Sequence, residues 1–201
     1  MTYANAWLSQ PQVTAVGSFA SDYLGRLTTI LGALNARELD QAIEVIRGVW
    51  QAGGQIITLG NGGSAITALH FATDWSKGVF EATRRPFRGR SLIDNMGIVT
   101  AYANDVSYAD VFVEQLRNIA TPQDLVVAIS GSGNSENVVR AVRYANEIGC
   151  ETLGLVGYSG GKVKPLAKHV VWAQVNDMQI AEDVHAIFGH IVMQALCRTE
   201  G

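Results

Sequence analysis

Residues 125–135 read LVVAISGSGNS, an apolar run followed at once by two glycines and three serines. The run predicts a buried strand, and a helix-like segment begins near Glu136, so the serine-rich stretch forms a strand-to-helix turn. Glycine lets backbone N–H groups approach an anion, serine hydroxyls add donors, and the helix points its positive end at the same place. The stretch therefore predicts a site for a phosphorylated small molecule. A plain strand-to-helix loop also favours Gly, Ser and Asn, and that interpretation stays open.

The composition is that of a globular protein with one sizeable core. Of the 201 residues, 48% are hydrophobic and 16% are charged, and the formal net charge is -3. A slightly negative net charge does not favour binding to nucleic acid or to an anionic membrane, and we expect neither as a partner. No apolar stretch approaches the roughly 20 residues of a membrane helix. Two cysteines, and an N-terminus with neither a basic segment nor an apolar signal core, predict a cytoplasmic protein.

Two helices are predicted first, and alternating strands and helices follow. Apolar residues recur at helical spacing over residues 12–34, and Asn35 then caps a second helix, Ala36–Gln51, which Gly53 and Gly54 end. Beyond this point short β-rich runs alternate with helical stretches. The predicted strands span 55–59, 90–93, 125–130, 152–156 and 169–174, and the predicted helices span 64–80, 107–119, 136–148, 161–167 and 179–197.

This alternation predicts an α/β fold, a three-layer doubly wound sheet of five parallel strands with an N-terminal helical extension. In such sheets ligands bind beyond the carboxyl ends of the strands, where the strand order reverses. The turn at residues 60–64, GNGGS, follows the first predicted strand, and the serine-rich turn follows the third. If these two strands are neighbours, both turns line one crevice.

Imidazole and carboxylate side chains lie on two of the predicted helices. His70 and Asp74 are four residues apart and therefore share one helix face. On the last helix, about 100° of rotation per residue places Glu182 and His190 roughly 80° apart, which is compatible with a shared target. Such groups transfer protons near neutral pH and are also ligands that zinc accepts, and both roles stay open.

Structural interpretations compete with these chemical ones. A histidine and an aspartate four residues apart are commonly a surface pair, although the flanking Phe71 and Trp75 argue against that here. His190 stands among apolar residues, as a core or interface histidine would. The spacing Gly60-x-Gly62-x-x-Ala65, with Asp94 after the second strand, also satisfies a dinucleotide fingerprint. A nucleotide-linked oxidoreductase, however, leaves the serine-rich turn unexplained, and a sugar-phosphate-sensing regulator lacks a DNA-binding segment.

Together these motifs resemble the sugar isomerase (SIS) domain, and more closely its phosphoheptose isomerase branch, over nearly the whole chain. The motifs that carry the resemblance are Gly60 to Ala65, His70-Phe71-Ala72, Asn104-Asp105, Ser130-x-Ser132-Gly133-Asn134-Ser135, and Glu182-x-x-His185 with His190. The resemblance implies one flavodoxin-like SIS domain over residues 1–201, with oligomerisation helices in 1–52 and a sugar-phosphate-binding core in 53–201. It also implies a homotetramer with active sites at subunit interfaces.

The resemblance implies an activity as well. It is the isomerisation of sedoheptulose 7-phosphate to D-glycero-D-manno-heptose 7-phosphate, or to a closely related heptose phosphate, through an enediol(ate), with Asp74 and His190 as the catalytic pair. In metal-bound members His70, Asp74, Glu182 and His190 match zinc ligands. The implied substrate-binding residues are Asn61, Gly62, Ser64, Asp94, Ser130, Gly131, Ser132, Ser135 and Glu182. The alternative is a non-catalytic SIS protein that binds a replication initiator, against which the retained His70, Asp74 and His190 argue.

Four positions depart from the residues that are usual in this family. Asp74 stands where glutamate is usual, Glu182 where glutamine is usual, Gly131 where threonine is usual, and Gly78 lies close to a usual arginine. Because Asp74 reaches one methylene less, either the backbone compensates or the substrate sits differently. Glu182 adds a negative charge near another carboxylate, which favours a divalent metal such as Zn²⁺ in the site.

Overall fold

The computed structural model of the chain describes residues 16–198. The helices are α1 (Val16–Ala33), α2 (Ala36–Gln51), α3 (Gly63–Asp74), α4 (Phe80–Thr83), α5 (Met96–Asp105), α6 (Val113–Ile119), α7 (Glu136–Glu147), α8 (Val163–Leu166) and α9 (Met178–Cys197). A π-helical turn (Trp75–Val79) joins α3 to α4, and a 3₁₀ turn (Tyr108–Asp110) precedes α6. The strands are β1 (Gln55–Gly60), β2 (Arg88–Ser91), β3 (Leu125–Ser130), β4 (Glu151–Val156) and β5 (His169–Trp172).

The five strands form one parallel sheet in the order β2-β1-β3-β4-β5. The predicted fold class is therefore confirmed. The order reverses between β1 and β3, because the chain first adds β2 on one side of β1 and then adds the remaining strands on the other. Gly60 of β1 pairs with Ile129 of β3, so these two strands end side by side.

Helices cover both faces of the sheet, and each face has its own core. α2, α3 and α9 lie on one face, where Ile46, Phe71 and Phe188 pack against Ile56 and alternate residues of β3. α6, α7 and α8 lie on the other face, against the intervening residues of the same strands. Since β1 and β3 are covered on both sides, they read as nearly continuous apolar runs, as expected for a parallel sheet.

The chain divides into two compact units between Ala33 and Leu34. The described part of the first unit is α1, which confirms the predicted helix over 12–34 from Val16 onward, whereas residues 12–15 lie outside the described residues. In the second unit α2 begins at the predicted cap, because the Asn35 side chain accepts hydrogen bonds from the N–H groups of Arg37 and Glu38. The helix ends at Gln51, and Gly53 follows with a φ of 80°, the left-handed conformation that glycine supplies after helix ends.

One helix, α5, is not predicted from the sequence, and two predicted helices, over 107–119 and 161–167, are shorter than expected. α5 is capped by the Asn95 side chain, which accepts from the N–H of Ile98, but it buries no residue fully. The periodicity that marks a core-facing helix is therefore missing from its sequence. The predicted helix over 107–119 begins only at Val113, because the 3₁₀ turn occupies the preceding residues.

Within residues 16–198 no helix combines the length and the apolarity that crossing a bilayer requires.

Candidate active site

The two glycine-rich turns meet at the carboxyl edge of the sheet. Because β1 and β3 are parallel neighbours, the turn at residues 60–64 and the turn at residues 130–135 follow adjacent strand ends. The expectation that these strands are neighbours at the switch point is confirmed. This edge is where an open α/β sheet binds its ligand.

The turn after β1 leads directly into α3. Gly62 adopts a φ of 55°, which brings the chain from the strand into the helix, and no side chain caps α3. The first N–H groups of a helix favour an anion when side chains do not cap them. Ser64 lies in the first turn of α3 and is only 5% exposed. The backbone of this turn, more than the Ser64 side chain, thus faces the crevice.

Hydrogen bonds within the turn after β3 shape it and leave hydroxyl protons to donate. Ser130 Oγ accepts from the Gly133 N–H at 3.2 Å, and Ser132 Oγ accepts from the Asn134 N–H at 3.2 Å. Ser135 is the N-cap residue of α7, but its side chain makes no capping hydrogen bond. An accepting hydroxyl can still donate its own proton. Ser132 and Ser135 are partly exposed and therefore equipped to bind a phosphate, whereas Ser130 is only 5% exposed, like Ser64.

Gly131 has a local explanation in this chain. A Cβ at Gly131 would lie closer than van der Waals contact to the Met178 sulfur, at the start of α9. Met178 thus fills the space beside this turn that a larger residue at position 131 would need.

Two residues that the sequence did not single out connect these turns. Asn137, in the first turn of α7, forms two hydrogen bonds with Asn61, and the Tyr108 hydroxyl donates to Asn61 Oδ1 at 2.8 Å. A cavity of about 700 Å³ opens beside this group, with Asn61, Gly62 and Asp94 on its wall. Its other walls are mostly apolar side chains of α3 and α5, including Ile66, Leu69, Val99 and Ala103.

His70, Asp74 and His190 form a second cluster, on the contact between α3 and α9. The Nε2 atoms of His70 and His190 are 3.0 Å apart, and His70 Nε2 lies 3.1 Å from Asp74 Oδ2. One ligand atom of each residue lies within 4.8 Å of the others. The His70 and Asp74 side chains are 46% and 32% exposed, so a ligand can reach them. We call these three residues the triad.

Close packing of α3 against α9 assembles the triad. A Cβ at Gly189 would overlap the Phe71 ring, so glycine at this position lets the two helices approach. The Phe71 ring stacks on Trp75 with centroids 4.6 Å apart, and Trp75 Nε1 donates to the Gly189 carbonyl at 3.0 Å. His70 precedes Phe71 and His190 follows Gly189. The contact that aligns the backbones therefore brings both imidazoles together.

The π-helical turn begins immediately after Asp74. It carries Trp75 into the core, and Gly78 lies against Met193 of α9. Single π turns inside α-helices are frequent at functional sites, because they redirect the side chains around them. The sequence gives a continuous helical pattern here and does not reveal the extra residue.

Glu182 is not a member of the triad within one chain. Its carboxylate lies against Gly63, at the start of α3, whereas His70 is seven residues further on, about 10 Å along the axis. Along α9 the eight residues from Glu182 to His190 add about 12 Å of rise, so the two side chains lie far apart along the axis although they are only about 80° apart around it. Burial, and then the nearby Asp183 carboxylate, raise the pKa of Glu182 above its ordinary value.

The triad has the donor set of a zinc site. Two imidazole nitrogens and one carboxylate oxygen are ligands that zinc binds at about 2.0–2.2 Å, which places neighbouring ligands around a tetrahedral ion about 3.3 Å apart. The 3.0 Å and 3.1 Å separations in the triad are close to this spacing. The residues present fit a divalent metal with three protein ligands from one chain.

Comparison with known proteins decides the family. The family model described as SIS domain matches residues 21–157. The chain belongs to the SIS family. Within it, similar proteins include ones named as phosphoheptose isomerases: a protein named "Probable phosphoheptose isomerase" from Thermoplasma volcanium is 35% identical over 88% of this chain and 89% of its own length. The phosphoheptose isomerase of Aliarcobacter butzleri is 33% identical over 87% of this chain and 93% of its own length.

Solved structures of SIS proteins show the same fold. The phosphoheptose isomerase of Neisseria gonorrhoeae superposes with a TM-score of 0.83 at 24% identity, over 90% of this chain and 98% of its own. The enzyme of Francisella tularensis superposes with a TM-score of 0.85 at 22% identity, over 92% of this chain and 97% of its own. These likenesses confirm the SIS architecture that the motifs predicted.

Proposed function

We propose that this SIS protein is a phosphoheptose isomerase that converts sedoheptulose 7-phosphate to D-glycero-D-manno-heptose 7-phosphate. The observation that carries the proposal is the triad, a histidine–aspartate–histidine cluster in a chain whose relatives are named phosphoheptose isomerases. A serine-rich turn at the sheet edge supplies the second half of the site. The non-catalytic alternative gains no support from these relatives and leaves the triad without a role.

The serine-rich turn binds the phosphate of the sugar. Ser130, Ser132 and Ser135 donate hydroxyl protons, and the start of α7, where the Ser135 side chain makes no capping hydrogen bond, adds backbone N–H groups. Asn61, Gly62 and Asp94 lie on the adjoining cavity and contact the sugar. Binding of the remote phosphate holds the reacting end in place, which lowers the barrier to proton transfer.

Asp74 and His190 are the proton-transfer pair. A base removes a proton from C1 of the ketose, the hydroxyl proton moves from O1 to O2, and a proton returns to C2, so that no atom is gained or lost. Positioned acid–base catalysis of this kind contributes about 10²- to 10⁴-fold to the rate. His70 lies within hydrogen-bond distance of both partners and orients them.

His70, Asp74 and His190 would also hold a divalent metal, and we propose Zn²⁺. Such an ion would supply a positive charge that stabilises a developing oxyanion. A carboxylate bound to metal cannot serve as a free base at the same time, so the two roles of Asp74 exclude each other in one state. Metal analysis of the purified protein, with activity measured before and after chelation, separates them: loss of activity on chelation assigns Asp74 to the metal, and retained activity assigns it to the proton.

The complete site forms between subunits of a homotetramer, with the N-terminal helices in the contacts. Support comes from Glu182, whose carboxylate lies against Gly63 where α3 begins, whereas the triad lies about 10 Å further along that helix. As a fourth ligand beside the triad, Glu182 would therefore come from a neighbouring subunit. Light scattering of the purified protein, with activity followed on dilution, tests this arrangement.

The protein acts in the cytoplasm. Cys150 and Cys197 are both free thiols, as expected in a reducing compartment.

The activity test is direct. Purified protein is mixed with sedoheptulose 7-phosphate, and aldoheptose formation is followed by NMR, with His190→Gln as the inactive comparison. We expect turnover by the wild type and its loss in the variant. The absence of turnover with any phosphoketose in a panel contradicts the proposal.

A further inference from the structure

The turns after β1 and β3 are joined by a reciprocal pair of side-chain amides. Asn61 Nδ2 donates to Asn137 Oδ1 at 2.8 Å, and Asn137 Nδ2 donates to Asn61 Oδ1 at 3.0 Å. Asn61 lies between β1 and α3, and Asn137 lies in the first turn of α7, directly after the serine-rich turn. The pair therefore bridges the two turns that line the crevice. We call it the amide bridge.

The orientation of both amides follows from a neighbouring backbone donor. The Val138 N–H donates to Asn137 Oδ1 at 2.9 Å, which fixes that atom as the oxygen. The other terminal atom of Asn137 is then a nitrogen that donates, so the Asn61 atom facing it is an oxygen. Backbone geometry of α7 thus sets the orientation of a side chain on the opposite turn.

The Asn61 oxygen is fully used inside the protein. It accepts hydrogen bonds from Asn137 Nδ2 and from the Tyr108 hydroxyl, while Asn61 Nδ2 donates one hydrogen bond to Asn137 Oδ1. Asn137 is 2% exposed, so its amide cannot reach a ligand. An amide whose acceptor sites are filled in this way is held in place. The main role of the Asn61 side chain is therefore to fix the position of the turn after β1.

Tyr108 extends the amide bridge to the 3₁₀ turn. The hydroxyl reaches Asn61 although the residue is 57% exposed. The turn itself is fastened to α7, because Arg140 donates to Asp110 at 2.7 Å and Ser107 Oγ donates to the same carboxylate at 2.7 Å. Three segments that surround the crevice thus share one polar connection through Asn61.

We propose that Asn137 is a positioning residue for phosphosugar binding, which acts by locking the turn after β1 against the serine-rich turn through Asn61. The inference rests on the proposed function, since it assumes that these turns hold the phosphate. Loss of the amide bridge lets the two turns move independently, so the ordered anion site is lost from the free protein. Affinity falls, while the acid–base groups on the α3–α9 contact keep their geometry.

The test is a double-mutant cycle with Asn61→Ala, Asn137→Ala and the combined variant, with sedoheptulose 7-phosphate as substrate. We expect KM to rise about tenfold in each single variant, the factor that corresponds to one buried hydrogen bond, with kcat changed less than about threefold. The combined variant should lose no more than Asn61→Ala alone, because that variant already removes the bridge. If Asn61 acted only by touching the substrate, the two losses would multiply.

A matched control removes an amide from the other end of the same helix. Asn146, on α7, hydrogen-bonds to the Leu166 carbonyl and to Thr152, far from the crevice. Asn146→Ala should lower the melting temperature without raising KM. A KM for Asn137→Ala that matches the wild type, or a rise equal to that of Asn146→Ala, overturns the inference.

Titration with inorganic phosphate separates this inference from the proposed function. In one outcome the wild type binds phosphate but turns over no sugar, and Asn137→Ala weakens phosphate binding about tenfold. This outcome supports the positioning role and contradicts the proposed isomerase activity. If the wild type isomerises the sugar and the variant binds phosphate equally well, the positioning role is wrong. A wild type that neither binds phosphate nor turns over the sugar overturns both.

Discussion

The two halves of the candidate site are built in different ways. At the sheet edge, the turns after β1 and β3 form an anion site from their backbone conformation and short side chains. The residues of each turn are consecutive in the sequence and come immediately after a strand. At the α3–α9 contact, the triad depends on residues far apart in sequence, whose approach requires Gly189 to lie against Phe71. Anion binding is thus a local property of two turns, whereas the acid–base chemistry is a property of helix packing.

The largest effect is expected at the triad, where a substitution should lower kcat without changing phosphate binding. Asp74→Asn keeps the size of the side chain but removes the carboxylate beside His70, so we expect kcat to fall about 10²- to 10⁴-fold. Inorganic phosphate should bind as in the wild type, because the turns are untouched. Glu81→Gln, on the exposed surface of α4, is the control and should change neither quantity. Steady-state kinetics and calorimetry measure both, and an unchanged kcat contradicts the division.

Gly189→Ala tests whether packing assembles the triad. The added methyl overlaps the Phe71 ring, so we expect a loss of about 1–3 kcal/mol in the free energy of unfolding and weaker zinc binding, as His190 moves from His70. Gly48 is the matched control, a helical glycine with open space around it. Gly48→Ala should stabilise α2 by about 0.5–1 kcal/mol without affecting zinc. Urea denaturation and metal titration provide the measurements. Equal effects of both substitutions would show that the contact does not control the triad.

A pH experiment compares the two faces of α9, where His185 is buried and His190 is exposed. Burial lowers the pKa of His185 to about 4, and contact with the Val156 backbone offsets only part of this. Since the unfolded chain binds this proton near pH 6.5 and the folded chain near pH 4, stability is full above pH 6.5 and falls as the pH drops toward 4. We expect this residue to remove about 2 kcal/mol of unfolding free energy between pH 7 and pH 5.

His185→Leu should flatten this dependence by the same amount. Urea denaturation of both proteins at pH 7 and pH 5, at one protein concentration, provides the comparison. His169→Asn is the control. His169 lies on the edge strand β5, is only partly buried and pairs with Glu151, so its loss shows the effect of removing a histidine that is not fully buried. An unchanged slope in His185→Leu means that the buried face of α9 contributes nothing to acid sensitivity.

The smallest effect concerns the turn after β3. Because the Ser135 side chain makes no capping hydrogen bond, Ser135→Ala should raise KM for the sugar phosphate about tenfold while leaving the melting temperature unchanged. Asn35→Ala provides the opposite case. Asn35 does cap α2, so its loss should cost about 1 kcal/mol of stability with KM unaffected. A drop in stability without a change in KM for Ser135→Ala would make that hydroxyl structural.

Much of the fold could be predicted from the sequence, because its signals are local. The apolar run at 125–130, the Asn35 cap and the glycines after α2 each act over a few residues, and the structure confirms them. α5 lacks such a signal, since it buries no residue fully and touches the core only through partly buried residues such as Tyr102 and Ala103. The amide bridge was also missed, because Asn137 resembles any polar residue in a first helical turn until Asn61 is beside it.

The sequence by itself determined which chemical groups are available and where they sit along each element: hydroxyls after β3, glycines after β1, and His70 with Asp74 on one face of α3. These follow from backbone periodicity and turn preferences, which a few neighbouring residues set. Only the tertiary structure decided which groups meet. It joined His190 to His70 and Asp74, placed Glu182 beside Gly63 instead, and locked Asn61 to Asn137. Rotation and rise along each helix are fixed locally, but the meeting of two helices depends on side chains that pack across the whole core.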